Sequence, residues 1–216
     1  MAKIDLSKYS TIIFDCDGVI LNSNQIKTHA FYKTASIYGH LPALSLKRYH
    51  KSNGGISRYE KFQYLFSNIL SRPDETDEIN KLLKSFSKEV YHELIKCEVA
   101  NKLKEFRELT KKANWMVVSG SDQNELREIF SKRGLDKYFD YGIFGSPKNK
   151  HEILKREKDL GNISKNSLFL GDSIYDFEAA KRSYIDFVFL SKWSEVKDWQ
   201  VKFKTNVFSD LEDLIS

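Results

Sequence analysis

The sequence predicts an α/β fold in which a Rossmann-like, doubly wound parallel sheet carries an inserted α-helical cap domain. Short apolar, β-branched runs alternate with helical patterns over most of the chain, as they do in parallel sheets that helices cover on both faces. The segment from about residue 24 to residue 97 instead shows one helical pattern after another and no strand pattern. We therefore predict a core domain formed by residues 1–22 and 98–216 and a cap domain formed by residues 23–97.

Four apolar runs are predicted to be buried strands, because each is short, continuous and rich in β-branched or aromatic residues. These runs are Thr11–Phe14, Trp115–Val118, Leu168–Leu170 and Phe187–Leu190, with Tyr141–Phe144 as a weaker fifth candidate. Apolar residues at helical spacing surround the second run, namely Leu103, Phe106 and Leu109 before it and Leu126, Ile129 and Phe130 after it. This alternation of strand and helix favours a parallel sheet.

Two stripes of apolar residues predict the helices of the cap domain. The first stripe is Phe62, Leu65, Phe66, Ile69 and Leu70, and the second is Ile79, Leu82, Leu83, Phe86, Val90 and Leu94. Arg72-Pro73-Asp74 separates the stripes, and a proline suits the first turn of the second helix. Because stripes of this kind usually pack in a core, we expect a bundle of four or five helices over the sheet.

The composition limits the classes of function. Of the 216 residues, 41% are hydrophobic and 13% are aromatic, which is enough for a packed core and argues against global disorder. The formal net charge of +5 is spread along the chain, whereas a nucleic-acid-binding face usually concentrates its basic residues. We therefore expect no nucleic-acid partner, and the charge agrees with a weak preference for anionic small molecules.

The chain shows no pattern of a secreted or membrane protein. Cys16 and Cys97 form neither a metal-binding spacing nor a disulfide framework. The N-terminus lacks the apolar run of a signal peptide, and the apolar runs elsewhere are too short to cross a bilayer. The expected location is the reducing cytoplasm, without a membrane partner, and the sequence does not indicate an oligomeric state.

Four predicted strands are each followed at once by residues that can carry chemistry. Ligands of doubly wound sheets bind beyond the carboxyl ends of the strands, so these residues should meet at one edge of the sheet. The four segments are Asp15-Cys16-Asp17-Gly18-Val19, Ser119-Gly120-Ser121-Asp122, Gly145-Ser146-Pro147-Lys148-Asn149-Lys150 and Gly171-Asp172-Ser173-Ile174-Tyr175-Asp176. The sequence thus predicts that carboxylates, a hydroxyl group and an ammonium group converge.

The carboxylates of these segments predict a metal site and a reaction. Asp15, Asp17, Asp172 and Asp176 would repel one another without a counter-charge, and the hard cation Mg²⁺ suits a site that also binds phosphate. Asp15 and Asp17 lie two residues apart, so on an extended strand both face the same way. One carboxylate can attack phosphorus while the other transfers the proton of the leaving group. Gly18 allows the backbone to turn sharply behind them.

The segments that follow Trp115–Val118 and Tyr141–Phe144 supply groups that bind phosphate. Ser119 offers a hydroxyl group and, with Gly120, backbone N–H donors near a helix start. A lysine after the weaker candidate strand Tyr141–Phe144 would offset charge that develops on the phosphoryl oxygens. Lys148 and Lys150 are both candidates, and Lys150 is favoured because it begins the helix predicted to run to Leu160.

These motifs resemble those of a known family. Asp15-x-Asp17-Gly18-Val19, Ser119, a lysine and Gly171-Asp172-Ser173-x-x-Asp176 are similar, in this order, to the four motifs of the haloacid dehalogenase superfamily of phosphohydrolases. The resemblance spans roughly Ile12 to Leu190. The helical insert resembles the α-helical C1 cap of subfamily I, the branch that includes phosphoglycolate phosphatase and β-phosphoglucomutase. The family lysine is often followed by proline, whereas here Pro147 precedes Lys148, and a Gly-Ser-Pro-x-x-Lys variant again favours Lys150.

The resemblance implies a role for each motif. Asp15 would be the nucleophile that forms an aspartyl-phosphate, and Asp17 would protonate the leaving oxygen and then activate water. Ser119, Gly120 and the motif lysine, Lys150, would hold the phosphoryl group. Mg²⁺ would be bound by Asp15, by the backbone carbonyl of Asp17 and by Asp172, with Asp176 either a direct ligand or one shell further out.

Some of these residues have simpler alternatives. Asp172-Ser173 could only cap a helix that begins near Ile174, and Asp176 could be a first-turn residue that the helix dipole favours. In the loop Asn53-Gly54-Gly55-Ile56-Ser57-Arg58, Arg58 is expected to contact a phosphate or carboxylate of the substrate. The alternative is an exposed arginine beside a turn.

Together, these observations predict a Mg²⁺-dependent phosphatase of a small-molecule phosphomonoester, either a sugar phosphate or a phosphorylated carboxylic acid. The resemblance implies that the cap closes over the site, which argues against protein or nucleic-acid substrates. The alternatives are a phosphomutase of the β-phosphoglucomutase type and, further off, a haloacid dehalogenase or a non-catalytic binding protein with this fold.

Overall fold

The core of the structure is one parallel sheet. The computed structural model of the protein describes residues 4–203 and 205–215. Its strands are β1 (Thr11–Phe14), β2 (Asn114–Asp122), β3 (Ile143–Ser146), β4 (Ser167–Gly171), β5 (Asp186–Leu190) and β6 (Asn206–Phe208). In the described residues these six strands form one sheet in the order β3-β2-β1-β4-β5-β6, and each pair of neighbours is parallel.

The central strands are buried on both faces, which explains their continuous apolar sequences. Side chains alternate between the faces of a strand, so Ile12 and Phe14 of β1 pack in one hydrophobic cluster. Ile13 of β1 packs with Met116 and Phe169 in a second cluster on the opposite face. β1 lies at the centre of the sheet, paired with β2 on one side and β4 on the other.

Helices cover both faces of the sheet. The α-helices of the described residues are α1 (Asn24–Ala35), α2 (His40–Ser52), α3 (Arg58–Tyr64), α4 (Thr76–Lys96), α5 (Leu103–Leu109), α6 (Gln123–Lys132), α7 (Lys150–Asp159), α8 (Ile174–Arg182), α9 (Trp199–Lys202) and α10 (Leu211–Ile215). Residues of α5, α6 and α10 join the first cluster, and residues of α7 and α8 join the second. Within residues 4–203 and 205–215, no helix combines the length and apolar character that crossing a bilayer requires.

The predicted α/β fold is confirmed, with differences at the level of single strands. β1 matches the predicted run, and β4 and β5 contain theirs. β2 continues past the predicted end at Val118 to Asp122, so Ser119 and Gly120 lie within the strand instead of after it. β3 lies further along the chain than the weak candidate Tyr141–Phe144. The short strand β6 was not predicted.

Residues 23–97, which we call the cap segment, contain helices α1 to α4. Their core includes the rings of Phe31, Phe62 and Phe86, whose centroids lie 4.4–5.8 Å apart. The first apolar stripe runs from α3 into a π-helical turn at Leu65–Ile69, and the second is α4. Pro73 was expected in the first turn of this helix, which is wrong because α4 begins only at Thr76. The division of the chain into two domains at residues 22 and 97 stays a prediction.

The chain passes between the sheet and the cap segment at two adjacent places, which we call the crossings. Leu21 forms an isolated bridge with Val99. The backbone N–H of Asn22 donates to the carbonyl of Glu98 over 2.9 Å, and that of Ala100 donates to the carbonyl of Ile20 over 2.8 Å. The two crossings are therefore tied together by backbone hydrogen bonds.

Candidate active site

The predicted site residues meet at the carboxyl edge of the sheet. Asp15 directly follows β1 and Asp172 directly follows β4, while Lys150 begins α7 and Asp176 lies in the first turn of α8. These four side chains are at most 5% exposed. The parallel topology brings them together because all of their strands end at the same edge.

Lys150 is the lysine that the structure brings to this edge. Its Nζ lies 2.9 Å from Oδ1 of Asp15 and 2.5 Å from Oδ1 of Asp176, and the side chain is fully buried. Burial alone would lower the pKa of Lys150, but Asp15 and Asp176 raise it overall. Lys150 is therefore a fixed positive charge. The other candidate, Lys148, is exposed.

Three buried carboxylates lie close together at this edge, and Lys150 contacts two of them, Asp15 and Asp176. One oxygen each from Asp15, Asp172 and Asp176 lies within 4.8 Å of the others. Burial raises the pKa of Asp15 to about 7, although Lys150 opposes the shift, and burial together with Asp15 raises the pKa of Asp172 well above its usual value. A buried cluster with excess negative charge fits a hard cation with oxygen ligands. The residues present thus suit Mg²⁺.

Ser173 and Asp176 also cap helix α8. The hydroxyl of Ser173 accepts from the backbone N–H of Asp176, and the Asp176 carboxylate accepts from the N–H of Ser173, which is a capping box. The capping alternative therefore holds for these two residues. It does not account for Asp172, whose Oδ2 instead accepts from Nδ2 of Asn24 over 2.7 Å.

The carboxylate of Asp17 lies outside the acidic cluster and has its own partners. It accepts from Oγ of Ser23 over 2.5 Å, from Nζ of Lys27 over 2.5 Å and from Oγ of Ser121 over 2.8 Å, and Lys27 also donates to Ser121. Burial would raise the pKa of Asp17, but Lys27 and these hydrogen bonds lower it overall. In this arrangement Asp17 is held as the anion.

These partners of Asp17 were not predicted from the sequence. Ser23 and Lys27 are four residues apart at the start of α1, so they project from the same helix face. Lys27 is only 7% exposed and lies on the α1 face that also carries Ala30 and Phe31, and this burial becomes visible only once the cap segment is packed. Ser121 lies in the segment Ser119-Gly120-Ser121-Asp122, and no contact with Asp17 was predicted for it.

Two glycines allow close packing at the site. Gly18 has a φ of +74°, and a Cβ there would overlap the carboxylate of Asp172 and the amide of Asn24. A Cβ on Gly120 would overlap the carbonyl oxygen of Gly55, which lies in the loop between α2 and α3. Gly120 is thus the place where the end of β2 touches the cap segment. Ser119 is fully buried, and its hydroxyl accepts from the backbone N–H of Ser121.

Arg58 lies inside the site, but its guanidinium group already has partners. NH1 donates to Oε2 of Glu125 and to Oγ of Ser87, each over 2.9 Å, and NH2 donates to Oε1 of Glu125. The guanidinium group also lies over the ring of Phe86, 4.7 Å from its centroid. Arg58 is 5% exposed, so it is not the exposed turn residue of the alternative interpretation. Its contact with a substrate stays a prediction.

A cavity lies between this edge of the sheet and the cap segment. Including its mouth to solvent, the cavity has a volume of about 630 Å³. Its acidic wall is formed by Asp15, Asp17, Asp172 and Glu195, and its basic wall by Lys27, His50, Lys51, Arg58 and Lys61. Every residue of the basic wall comes from the cap segment. The two walls meet where Lys27 contacts Asp17 and where Lys51 contacts Glu195.

Known proteins resemble this chain in sequence over most of its length. A family model described as haloacid dehalogenase-like hydrolase matches residues 12–190. A protein of Thermotoga maritima named phosphorylated carbohydrates phosphatase is 25% identical over 186 residues, which cover 82% of this chain and 83% of the relative.

Solved structures share the fold at low sequence identity. A β-phosphoglucomutase from Clostridium difficile superposes with a TM-score of 0.73 at 17% identity, covering 95% of this chain and 93% of the other. A structure from Haemophilus somnus described as a predicted phosphoglycolate phosphatase gives a TM-score of 0.73 at 18% identity, with 98% of each chain covered. At such identities, these likenesses show the fold alone.

Proposed function

The chain belongs to the haloacid dehalogenase-like hydrolases, and on this basis we propose that it is a Mg²⁺-dependent phosphatase of a small-molecule phosphomonoester. The observation that carries the proposal is the buried Lys150, which contacts both Asp15 and Asp176 at the edge of the sheet. This pairing keeps one carboxylate oxygen of Asp15 next to a positive charge, beside a cavity that Asp15 itself lines.

We infer that the substrate is a sugar phosphate or a phosphorylated carboxylic acid. The relative from Thermotoga maritima is named for phosphorylated carbohydrates, which supports the first class. The lysine and arginine donors that line the cavity are compatible with either class, because both classes offer oxygen acceptors. The cavity lies between the edge of the sheet and the cap segment, and this enclosed position favours a small ligand over a folded protein or a duplex.

The first half of the proposed reaction transfers the phosphoryl group to Asp15. A carboxylate oxygen of Asp15 attacks phosphorus, a new P–O bond forms, and the bond between phosphorus and the ester oxygen breaks. Asp17 gives its proton to the departing oxygen, which leaves as an alcohol. Lys150, Ser119 and Gly120 would hold the phosphoryl oxygens. Because Lys27 holds Asp17 as the anion in this arrangement, Asp17 can carry that proton only when the contact with Lys27 loosens.

The second half restores Asp15. The oxygen of a water molecule attacks phosphorus while Asp17, now the anion, accepts a proton from that water. The bond between phosphorus and Asp15 then breaks. Inorganic phosphate leaves, and Asp15 is a carboxylate again. The contacts from Ser23, Lys27 and Ser121 favour the anion of Asp17 that this step needs.

The acidic cluster would hold the metal. We infer that Asp15, the backbone carbonyl of Asp17 and Asp172 bind Mg²⁺, with Asp176 as a direct ligand or one shell further out. When bound, the ion would supply positive charge that offsets the repulsion between the Asp15 carboxylate and the phosphate. Arg58 would reach the substrate only if the substrate competed with Glu125 for the guanidinium group.

Phosphate release from a panel of phosphorylated metabolites tests this function. In the presence of Mg²⁺, we expect turnover by the wild type, a loss of about 10³-fold or more in Asp15→Asn, and no turnover after chelation. Asp159→Asn is the matched control, because Asp159 is exposed at the end of α7, and it should behave like the wild type.

Two results would contradict the proposal. Turnover that survives in Asp15→Asn would exclude the aspartyl-phosphate route. Conversion of a sugar phosphate into its isomer, with dependence on a bisphosphate activator and little phosphate release, would identify the phosphomutase alternative.

A further inference from the structure

Lys61 is a buried cation that the proposed reaction does not use. It lies in α3, is 2% exposed and lines the same cavity as Asp15. Its Nζ lies 2.9 Å from Nδ1 of His50 and 5.3 Å from the centroid of the Phe31 ring. An ammonium group has three N–H donors and no acceptor, so His50 accepts one of them.

The other cations of the basic wall are balanced by carboxylates. Nζ of Lys27 lies 2.5 Å from Asp17, Nζ of Lys51 lies 3.2 Å from Glu195, and Arg58 pairs with Glu125. No carboxylate of residues 4–203 and 205–215 forms a salt bridge with Lys61. Among the lysines and the arginine of this wall, Lys61 is thus the one without a direct carboxylate contact in the described residues, and the more distant Asp17, Glu60 and Glu195 offset the effect of burial only in part.

An uncompensated buried charge is unfavourable unless something else pairs with it. Burial and the neighbouring Lys27 lower the pKa of Lys61 to about 7, and burial lowers the pKa of His50 as well. A ligand anion next to Nζ would offset the loss of hydration and would accept the remaining N–H donors. Hydrogen bonds between charged groups are the strong ones, and they would also select the ligand.

We propose that Lys61, oriented by His50, binds a second anionic group at the end of the substrate that lies away from the phosphomonoester. The group is a carboxylate or a second phosphate, so the substrate is a phosphorylated acid or a bisphosphate and not a simple sugar phosphate. This inference rests on the proposed function, because it assumes that the first phosphate binds at Asp15. It narrows the substrate to molecules with charge at both ends.

The test compares esters that differ only in the second group. 3-Phosphoglycerate and glycerol 3-phosphate differ by a carboxylate, and fructose 1,6-bisphosphate and fructose 1-phosphate differ by a phosphate. The wild type should prefer the doubly anionic member of at least one pair, and the pair that shows it identifies the group. In Lys61→Met, we expect this preference in kcat/KM to fall by about 10- to 100-fold, while kcat/KM for the singly anionic member changes little.

A control and a second readout separate this inference from the proposed function. Lys84→Met makes the same charge change at an exposed position of α4, and it should keep the preference of the wild type. In an Asp15→Asn background, titration calorimetry measures binding of the four esters without turnover, and there too Lys61→Met should remove the preference. Loss of hydrolysis alone would overturn the phosphatase and leave this subsite standing.

Three outcomes would overturn the subsite. The first is equal affinity of the Asp15→Asn protein for both members of each pair. The second is a preference for the doubly anionic ester that survives in folded Lys61→Met. The third is a loss of this preference in Lys84→Met that equals the loss in Lys61→Met.

Discussion

Lys61 should make the stability of the protein depend on pH. Burial lowers its folded pKa to about 7, whereas an unfolded lysine has a pKa of about 10.4. Between these values the unfolded chain binds a proton that the folded protein does not, so the free energy of unfolding rises with pH from about 7 to about 10. Below pH 7 both states are protonated, and the full cost of the buried charge remains.

Lys61→Met removes this cost, so the variant should be more stable than the wild type at pH 6.5. The expected gain is on the order of a few kcal/mol, and it should shrink as the pH rises towards 10. Urea unfolding at several pH values measures the difference. Lys84→Met, at an exposed position, should show no such dependence, and a difference that does not change between pH 6.5 and 9.5 would contradict this account.

At the residue scale, the sequence predicted the groups that occur in local motifs and missed those that are defined by contacts. Asp15, Asp172 and Lys150 each follow a strand, and the structure brings them together. Lys27 and Lys61 lie outside these motifs, and both were unremarkable among the 35 basic residues. Their burial depends on how the cap segment packs, which periodicity does not encode.

At the element scale, the ion pair between Arg58 of α3 and Glu125 of α6 joins the cap segment to the helix after β2. The side chains are 4% and 9% exposed, and two hydrogen bonds connect them. Glu125→Gln would leave the guanidinium group buried without a counter-charge, and we expect a loss of about 3–5 kcal/mol in the free energy of unfolding. Urea unfolding measures it.

Glu128, one turn further along α6, is the control for this pair. It contacts Lys132 with both side chains more than half exposed, so Glu128→Gln should lower the free energy of unfolding far less than Glu125→Gln does. Equal losses for the two variants would show that burial of the Arg58–Glu125 pair does not matter.

The contact between Gly120 and the loop of Gly55 should be sensitive to a single methyl group. A Cβ on Gly120 would overlap the carbonyl oxygen of Gly55, so Gly120→Ala must push the loop away from the end of β2. Because the loop helps to enclose the cavity, we expect kcat/KM to fall by about tenfold or more.

Gly54→Ala provides the control in the same loop. Its Cβ would lie 3.4 Å from Cβ of Ser173, which is an ordinary contact, so its kcat/KM should stay close to that of the wild type. Steady-state kinetics of both variants and their thermal unfolding curves test the point. Wild-type kinetics in Gly120→Ala would show that the loop yields without cost.

Secondary structure was predictable where several residues share one environment. All four residues of β1 are buried, and the apolar stripe of α4 contains buried residues from Ile79 to Leu94, so both patterns stood out in the sequence. β6 was missed because its pattern covers only Asn206–Phe208, which is too short to stand out. The first stripe of the cap segment suggested one regular helix, but apolar spacing does not distinguish an α-helix from the π-helical turn at Leu65–Ile69.

At the scale of the whole molecule, the cap segment is held against the sheet by polar contacts around the cavity. On one side the hydroxyl of Tyr59 donates to Asp122 over 2.6 Å, and on the other Gln25 and Thr28 each donate to Glu195 over 2.7 Å. These contacts surround a site in which most charged groups are already desolvated, and exclusion of water strengthens their interactions. Sequence motifs predicted that such a cap exists, but not which pairs hold it.

The two crossings, joined by the bridge between Leu21 and Val99, have a consequence for how proteins of this architecture diverge. A segment whose ends are neighbours can change in length or content without pulling apart the strands on either side, and the entropic cost of a longer excursion grows only slowly. Asp15 and Asp172 directly follow β1 and β4, so we expect the sheet, and not the length of the cap segment, to fix their positions. The catalytic residues at the edge of the sheet and the substrate specificity that the cap segment provides can therefore evolve separately.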